Sequence, residues 1–98
     1  MKHFKENLGL CRRAGALITG FDAVVEAAKR KKLSGIMLAR DVSEKTQKEI
    51  KFHAGKYNIK VVALSASMDE IKAVTGKRTG VLAVTDDGLF TLLNKQTL

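Results

Sequence analysis

Apolar residues recur at helical spacing in the opening stretch, at Phe4, Leu8 and Cys11, with Lys2, Lys5, Glu6, Arg12 and Arg13 between them. This pattern predicts a helix over residues 2–13, stopped by Gly15, with Leu10 alone off the stripe. A short extended run, Ala16 to Ile18, breaks at Gly20 and passes into a second helical pattern, Phe21, Val24, Val25 and Ala28, predicted to reach about Lys31. Leu33-Ser34-Gly35 then turns into Ile36-Met37-Leu38-Ala39, a continuous apolar run that reads as a strand buried on both faces. Asp41 or Ser43 caps the next helix, with Glu44 in the capping-box relation to Asp41. Thr46, Ile50, Ala54 and Tyr57 line one side of that helix, Lys45, Gln47, Lys48, Glu49 and Lys51 the other, and Asn58 ends it.

Ile59 to Leu64, nearly all apolar and largely β-branched, reads as another buried strand. Ser67 and Glu70 form a capping box for a short helix through Met68, Ile71 and Val74 that ends at Gly76. The loop Gly76-Lys77-Arg78-Thr79-Gly80 leads into a last strand, Val81 to Thr85. Asp86 then caps a final helix carrying Leu89, Phe90, Leu92 and Leu93, with Asn94 as its end. Strict alternation of helices with buried strands predicts an α/β fold, a three-layer αβα sandwich around a four-stranded, largely parallel or mixed sheet.

The junction at Gly20 is where chemistry first enters. A strand running straight into a helix points the free N–H groups of the first helical turn outward, and these suit phosphate or nucleic-acid edges. A glycine there also serves simply to turn the chain.

Composition narrows the field. A chain of 98 residues with 45% apolar and 29% charged content reads as one globular domain over residues 1–98. The apolar runs Ile36–Ala39 and Val61–Ala66 are too short to span a bilayer, and the start Met1-Lys2-His3-Phe4-Lys5 lacks a signal peptide's apolar region, so a soluble, cytoplasmic protein is expected. The single Cys11 sits at an apolar position and reads as core packing. Eighteen Lys and Arg against ten Asp and Glu give a net charge of +8, which favours a polyanion partner through counterion release; a basic surface kept for solubility is the plainer alternative.

Motifs for catalysis are absent. His3 and His53 have no Cys or second His at ligand spacing, so no metal is expected. Asp41, Asp86 and Asp87 each precede an apolar helical run, and N-capping accounts for all three. Gly20, Gly35 and Gly76 are isolated, without a phosphate-cradling glycine motif, and Ser65, Ser67 and Thr75 have no base beside them. Neither an enzyme nor a cofactor is expected.

The element order, the Gly20 junction, the Leu38-Ala39-Arg40-Asp41-Val42-Ser43 segment and the Ala73-Val74-Thr75-Gly76 turn before Val81-Leu82-Ala83-Val84 together resemble the L7Ae/L30e/S12e/Gadd45 superfamily. The opening Leu8-Gly9-Leu10-Cys11-Arg12-Arg13-Ala14-Gly15-Ala16-Leu17-Ile18-Thr19-Gly20 resembles more closely its bacterial YlxQ-like ribosomal-protein branch. The resemblance implies an L30e-like αβα sandwich with a mixed sheet. It also implies binding of structured RNA, in many members kink-turns, through the strand-to-helix junction and the loop before the last strand.

The family's kink-turn motif, Gly-x-Asn-Glu-x-x-Lys, falls here on Gly20, Asp22, Ala23 and Glu26, and only the glycine is kept. Ala23 has no hydrogen-bonding side chain, Glu26 repels phosphate where the family has a cation, and Asp22 can still accept from a guanine. Lys29, Arg30 and the following Lys31 and Lys32, with Lys77, Arg78 and Thr79 in the second contact loop, remain to hold phosphates, together with Gly20 to Asp22 on one face. Phe21 either stacks on a base or packs inward.

The expected partner is therefore structured RNA, ribosomal, of a kind other than a standard kink-turn, with ribosomal proteins as further neighbours and neither membrane nor metal. Gadd45-like members illustrate the second reading, a protein-interaction module whose basic surface meets an acidic partner.

Overall fold

The computed structural model describes residues 4–30 and 32–97. The elements in chain order are α1 (Phe4–Arg13), β1 (Leu17–Thr19), α2 (Phe21–Lys29), β2 (Gly35–Leu38), α3 (Glu44–Tyr57), β3 (Val61–Ala63), α4 (Met68–Thr75), β4 (Val81–Val84) and α5 (Asp87–Thr97). The strands form one sheet in the order β1-β4-β2-β3, with β4 antiparallel to both its neighbours and β2 parallel to β3. This is the mixed αβα sandwich that the alternation of elements and the family resemblance predict.

The two central strands are buried at every position, as their unbroken apolar runs require. Their side chains alternate between two cores. Met37, Leu82 and Val84 join Phe4, Leu8, Ile71 and Leu93 under α1, α4 and α5. Ile36, Leu38, Val81 and Ala83 join Val24, Ile50 and Ala54 under α2 and α3. Gly35 sits directly beneath the Phe90 ring, and a Cβ there would fall within it.

Helix ends follow local chemistry. α1 closes with Ala16 N–H on Cys11 O (2.9 Å) and Gly15 N–H on Arg12 O (3.1 Å), with Gly15 at φ 70°. Asn58 takes the left-handed conformation at the end of α3 (φ 56°). The Ser67–Glu70 capping box is complete, with both bonds at 3.1 Å.

Several expectations need correction. β1 starts and ends one residue later than predicted, and β3 is shorter, half-exposed and at the sheet edge rather than doubly buried. Its β-branched run suits an extended backbone whether or not a further strand covers it. Ser43 caps α3, its Oγ accepting from Thr46 N at 3.2 Å, whereas Asp41 Oδ1 accepts from Met68 N at 2.9 Å and so caps α4. Asp86 Oδ1 accepts from Leu89 N at 2.8 Å, but Asp87 is the first residue of α5 rather than a cap. α5 runs past Asn94 to Thr97, and Asn94 does not take the left-handed conformation with which Asn58 ends α3. Lys2, His3 and Lys31 lie outside the described residues. No helix among the described residues is long and apolar enough to cross a membrane.

Candidate nucleic-acid interface

The sheet geometry brings the Gly20 junction and the loop before β4 together. Because β1 and β4 run antiparallel, the end of β1 lies beside the start of β4, and Gly20 N–H donates to Val81 O at 3.0 Å. Thr79 Oγ1 accepts from Val81 N and donates to Val81 O, both at 3.2 Å, so the same peptide carbonyl ties the loop to the junction. One turn earlier, Thr75 Oγ1 accepts from Lys77 N at 3.2 Å and lies 2.9 Å from Ile71 O. The loop is thus pinned at both ends, with Lys77 and Arg78 exposed between the two threonines.

Gly20 takes φ 100° and ψ 147° and offers no side-chain cap to α2. Its carbonyl receives Val24 N–H at 3.0 Å, which leaves the N–H groups of the first turn directed at the junction with the positive end of the helix dipole. Asp22 is exposed on that turn. Its charge suits the dipole but opposes an anion, so Asp22 is a hydrogen-bond acceptor here rather than a phosphate site. Phe21 is half-buried against the core under α2 and α3, with its ring edge-on to His53 at 6.4 Å, which is the inward of its two readings.

The cations divide by their partners. Arg30 pairs with Glu26 through Nη2 at 3.2 Å, and Arg78 pairs with Asp69 through Nε at 2.8 Å. All four side chains are more than half exposed, so each pair is worth about 0–1 kcal/mol and gives way readily to a phosphate. Lys29, Lys32 and Lys77 form no ion pair among the described residues. The three sequence segments expected on one face form two patches joined along α2. Lys29, Arg30 and Lys32 lie at its far end, roughly 13 Å from Gly20 at 1.5 Å per residue. There Arg30 and Lys32 border a groove between α2 and edge strand β1, floored by Ile18, Ala23, Ala27 and Thr85.

Arg40 joins this end of the molecule without a motif of its own. It follows β2 at the same end of the sheet, where Ala39 N–H donates to Gly80 O at 2.9 Å, and it faces Glu70 at 3.8 Å. Its only signal was a place in the segment between β2 and α3 that carried the resemblance.

The Ser67 backbone N–H bound to Glu70 holds that carboxyl below the ordinary glutamate value, with Lys5 and Arg40 acting in the same direction. A lowered folded pKa means that the stability it adds is present above the unfolded value and is lost as pH falls through the folded one. A Glu70 side-chain titration followed by NMR is expected to show a midpoint below that of an unstructured peptide; an unshifted midpoint would mean the capping bond is not kept in solution. Cys11 is buried, and burial followed by the nearby Asp86 charge raises its thiol pKa, so it stays protonated and shielded. Among the described residues no group of three His, Cys, Asp or Glu side chains could hold a metal ion.

Comparison with known proteins bears on the fold and the family. Residues 2–94 match the family described as ribosomal protein L7Ae/L30e/S12e/Gadd45. The chain is 32% identical over 81 residues to a protein from Enterococcus faecium named RNA-binding protein YlxQ, covering 83% of this chain and 78% of that one. A solved structure described as a protein with unknown function from Bacillus halodurans superposes with a TM-score of 0.84 at 28% identity, over 92% of this chain and 91% of that one.

Proposed function

The chain belongs to the ribosomal protein L7Ae/L30e/S12e/Gadd45 family, and from that premise we propose that it is a non-enzymatic RNA-binding protein of the ribosome or its assembly. The observation that carries this reading is the meeting of Gly20 and Thr79 on one carbonyl, which sets the uncapped start of α2 beside Lys77 and Arg78. An uncapped helix start with exposed cations on the neighbouring loop suits a phosphate backbone, in a chain of net charge +8. A relative named for RNA binding supports the same partner, and a cytoplasmic setting goes with it.

The RNA is structured and held mainly by charge and shape. At Ala23 and Glu26, where the family motif carries Glu and Lys, this chain has a methyl group and a carboxylate already engaged by Arg30. Base reading of tandem G·A pairs therefore loses its donors and acceptors, and the target is a fold other than a standard kink-turn. Gly20, Asp22, Lys29, Arg30, Lys77, Arg78 and Thr79 form the proposed contact surface, with Phe21 bracing it from beneath.

Crosslinking of the protein to RNA in lysate, with sequencing of the bound fragments, tests this. A defined ribosomal or structured RNA is expected to be enriched, and Arg78→Glu to weaken its binding about tenfold. Lys77→Gln is expected to shallow the dependence of log affinity on log salt by about one unit. Binding that ignores salt would overturn this reading, and recovery that is diffuse and unchanged in Arg78→Glu would instead favour an acidic protein partner.

A further inference from the structure

We propose that the outward face of α3 is a second RNA contact, on which an unstructured strand stacks a base on Phe52 and lays its phosphates along Lys45, Lys48 and Lys56. The proposal rests on the RNA-binding reading above and extends it to a surface that no part of that reading uses. Phe52 is 68% exposed, the most exposed large hydrophobic residue among those described. Ile50 and Ala54 are buried and turn α3 inward, so at 100° per residue Phe52 points almost directly away from the core. Lys45, Lys48 and Lys56 flank it on the same stripe, one or two turns away.

A lone apolar side chain on a surface is ordinary, but an exposed aromatic ring set among cations is the combination on which single-stranded nucleic acid is held. The ring face stacks on any base, and the lysines neutralise the phosphates on either side. Lys45 forms no ion pair among the described residues, and Lys48 shares only the exposed Glu44 at 3.6 Å. Lys56 Nζ lies over the Tyr57 ring at 5.6 Å, which orients it without neutralising it. Glu49 is the one carboxylate beside Phe52 on this stripe, and the three lysines outweigh it.

Continuity with the junction comes from a row of rings. Phe21, immediately after Gly20, packs edge-on to His53 at 6.4 Å, and His53 packs edge-on to Phe52 at 5.5 Å. An RNA seated at the start of α2 therefore has its flanking strand within reach of α3. Charge selects a polyanion, and the ring face selects one that carries bases.

The test uses an unstructured oligouridylate, fluorescein-labelled for anisotropy and unlabelled for emission. The chain contains no Trp, so Phe52→Trp supplies a single indole whose emission reports stacking. Oligouridylate is expected to quench that indole. Phe52→Ala is expected to raise the Kd for the oligonucleotide by about 5- to 100-fold, with the circular dichroism spectrum unchanged, while Phe52→Trp keeps the affinity. Equal affinity in Phe52→Ala, or indole emission unmoved at saturation, overturns the proposal. Quenching by polyglutamate and not by oligouridylate also overturns it and assigns the stripe to an acidic protein. Arg78→Glu, assayed on the crosslinked structured RNA, reports on the α2 junction separately, so failure of one contact is distinguishable from failure of the other.

Discussion

Leu82→Ala is expected to lower the unfolding free energy by about 2–5 kcal/mol, the range for truncating a fully buried leucine. Leu82 is 0% exposed and sits on β4, where it pairs with Thr19 of β1 on one side and Met37 of β2 on the other. Its side chain enters the core formed with Phe4, Leu8, Ile71 and Leu93, so truncation opens a cavity among residues anchored on α1, α4 and α5. Relaxation is restricted, because the backbone at Leu82 is held from both sides of the sheet and the neighbouring side chains are themselves closely packed. Against a total stability of about 5–15 kcal/mol this is a large fraction, and at about 4–8 °C per kcal/mol it is readily seen in a melting curve. Urea denaturation should show a lower midpoint with an unchanged slope. A loss below about 1 kcal/mol would mean that the helices on that face close over the gap.

Gly20→Ala is expected to cost about 1–3 kcal/mol for a different reason. A Cβ at Gly20 would meet nothing within 4 Å, so packing is not at stake. The cost is conformational: φ 100° with ψ 147° is a region that side chains with a Cβ rarely enter. If the junction keeps its shape, the protein holds the strain and melts lower. If it relaxes, the bond from Gly20 N–H to Val81 O lengthens and the loop carrying Lys77 and Arg78 loses its register against α2, so on the proposed reading RNA affinity falls as well. Gly55→Ala is the matched control. Gly55 lies inside α3, is exposed and likewise has nothing near its absent Cβ, so alanine there should stabilise by about 0.5–1 kcal/mol. Opposite signs for two substitutions that both enter open space would isolate the backbone term; the same sign would refute it.

The layers were legible because each element carries its own period. Phe4, Leu8 and Cys11 announce α1, the unbroken apolar runs announce β2 and β4, and Ser67 with Glu70 announces the start of α4. What escaped was non-local. Sequence spacing pairs Asp41 with Glu44, but its partner is Met68, 27 residues away across the sheet end. The apolar residues of β3 predict a covered strand, yet edge or centre is decided by strand order, which no single segment encodes. Gly20 and the 76–80 loop could be paired through the family resemblance, whereas Arg40 needed the register of β2 against β4 to reach the same end. Phe52 was hidden by a stripe rule that looks for apolar residues facing in and has no place for one facing out.

Strand order also sets when the proposed binding surface comes into being. β1 is made early, but its sheet partner is β4, and β2 likewise waits for β4 to separate it from β1. On the ribosome, a chain elongated only as far as α4 has a first strand with nothing to pair with and a Gly20 whose N–H has no Val81 carbonyl. Such long-range pairing is slow relative to local helix formation, and here it also comes last. The sheet is completed, and the junction that would hold RNA is assembled, only after the last strand has been synthesised, so a chain ending at α4 carries Lys29, Arg30 and Lys32 without the geometry that would aim them and lacks Lys77 and Arg78 altogether.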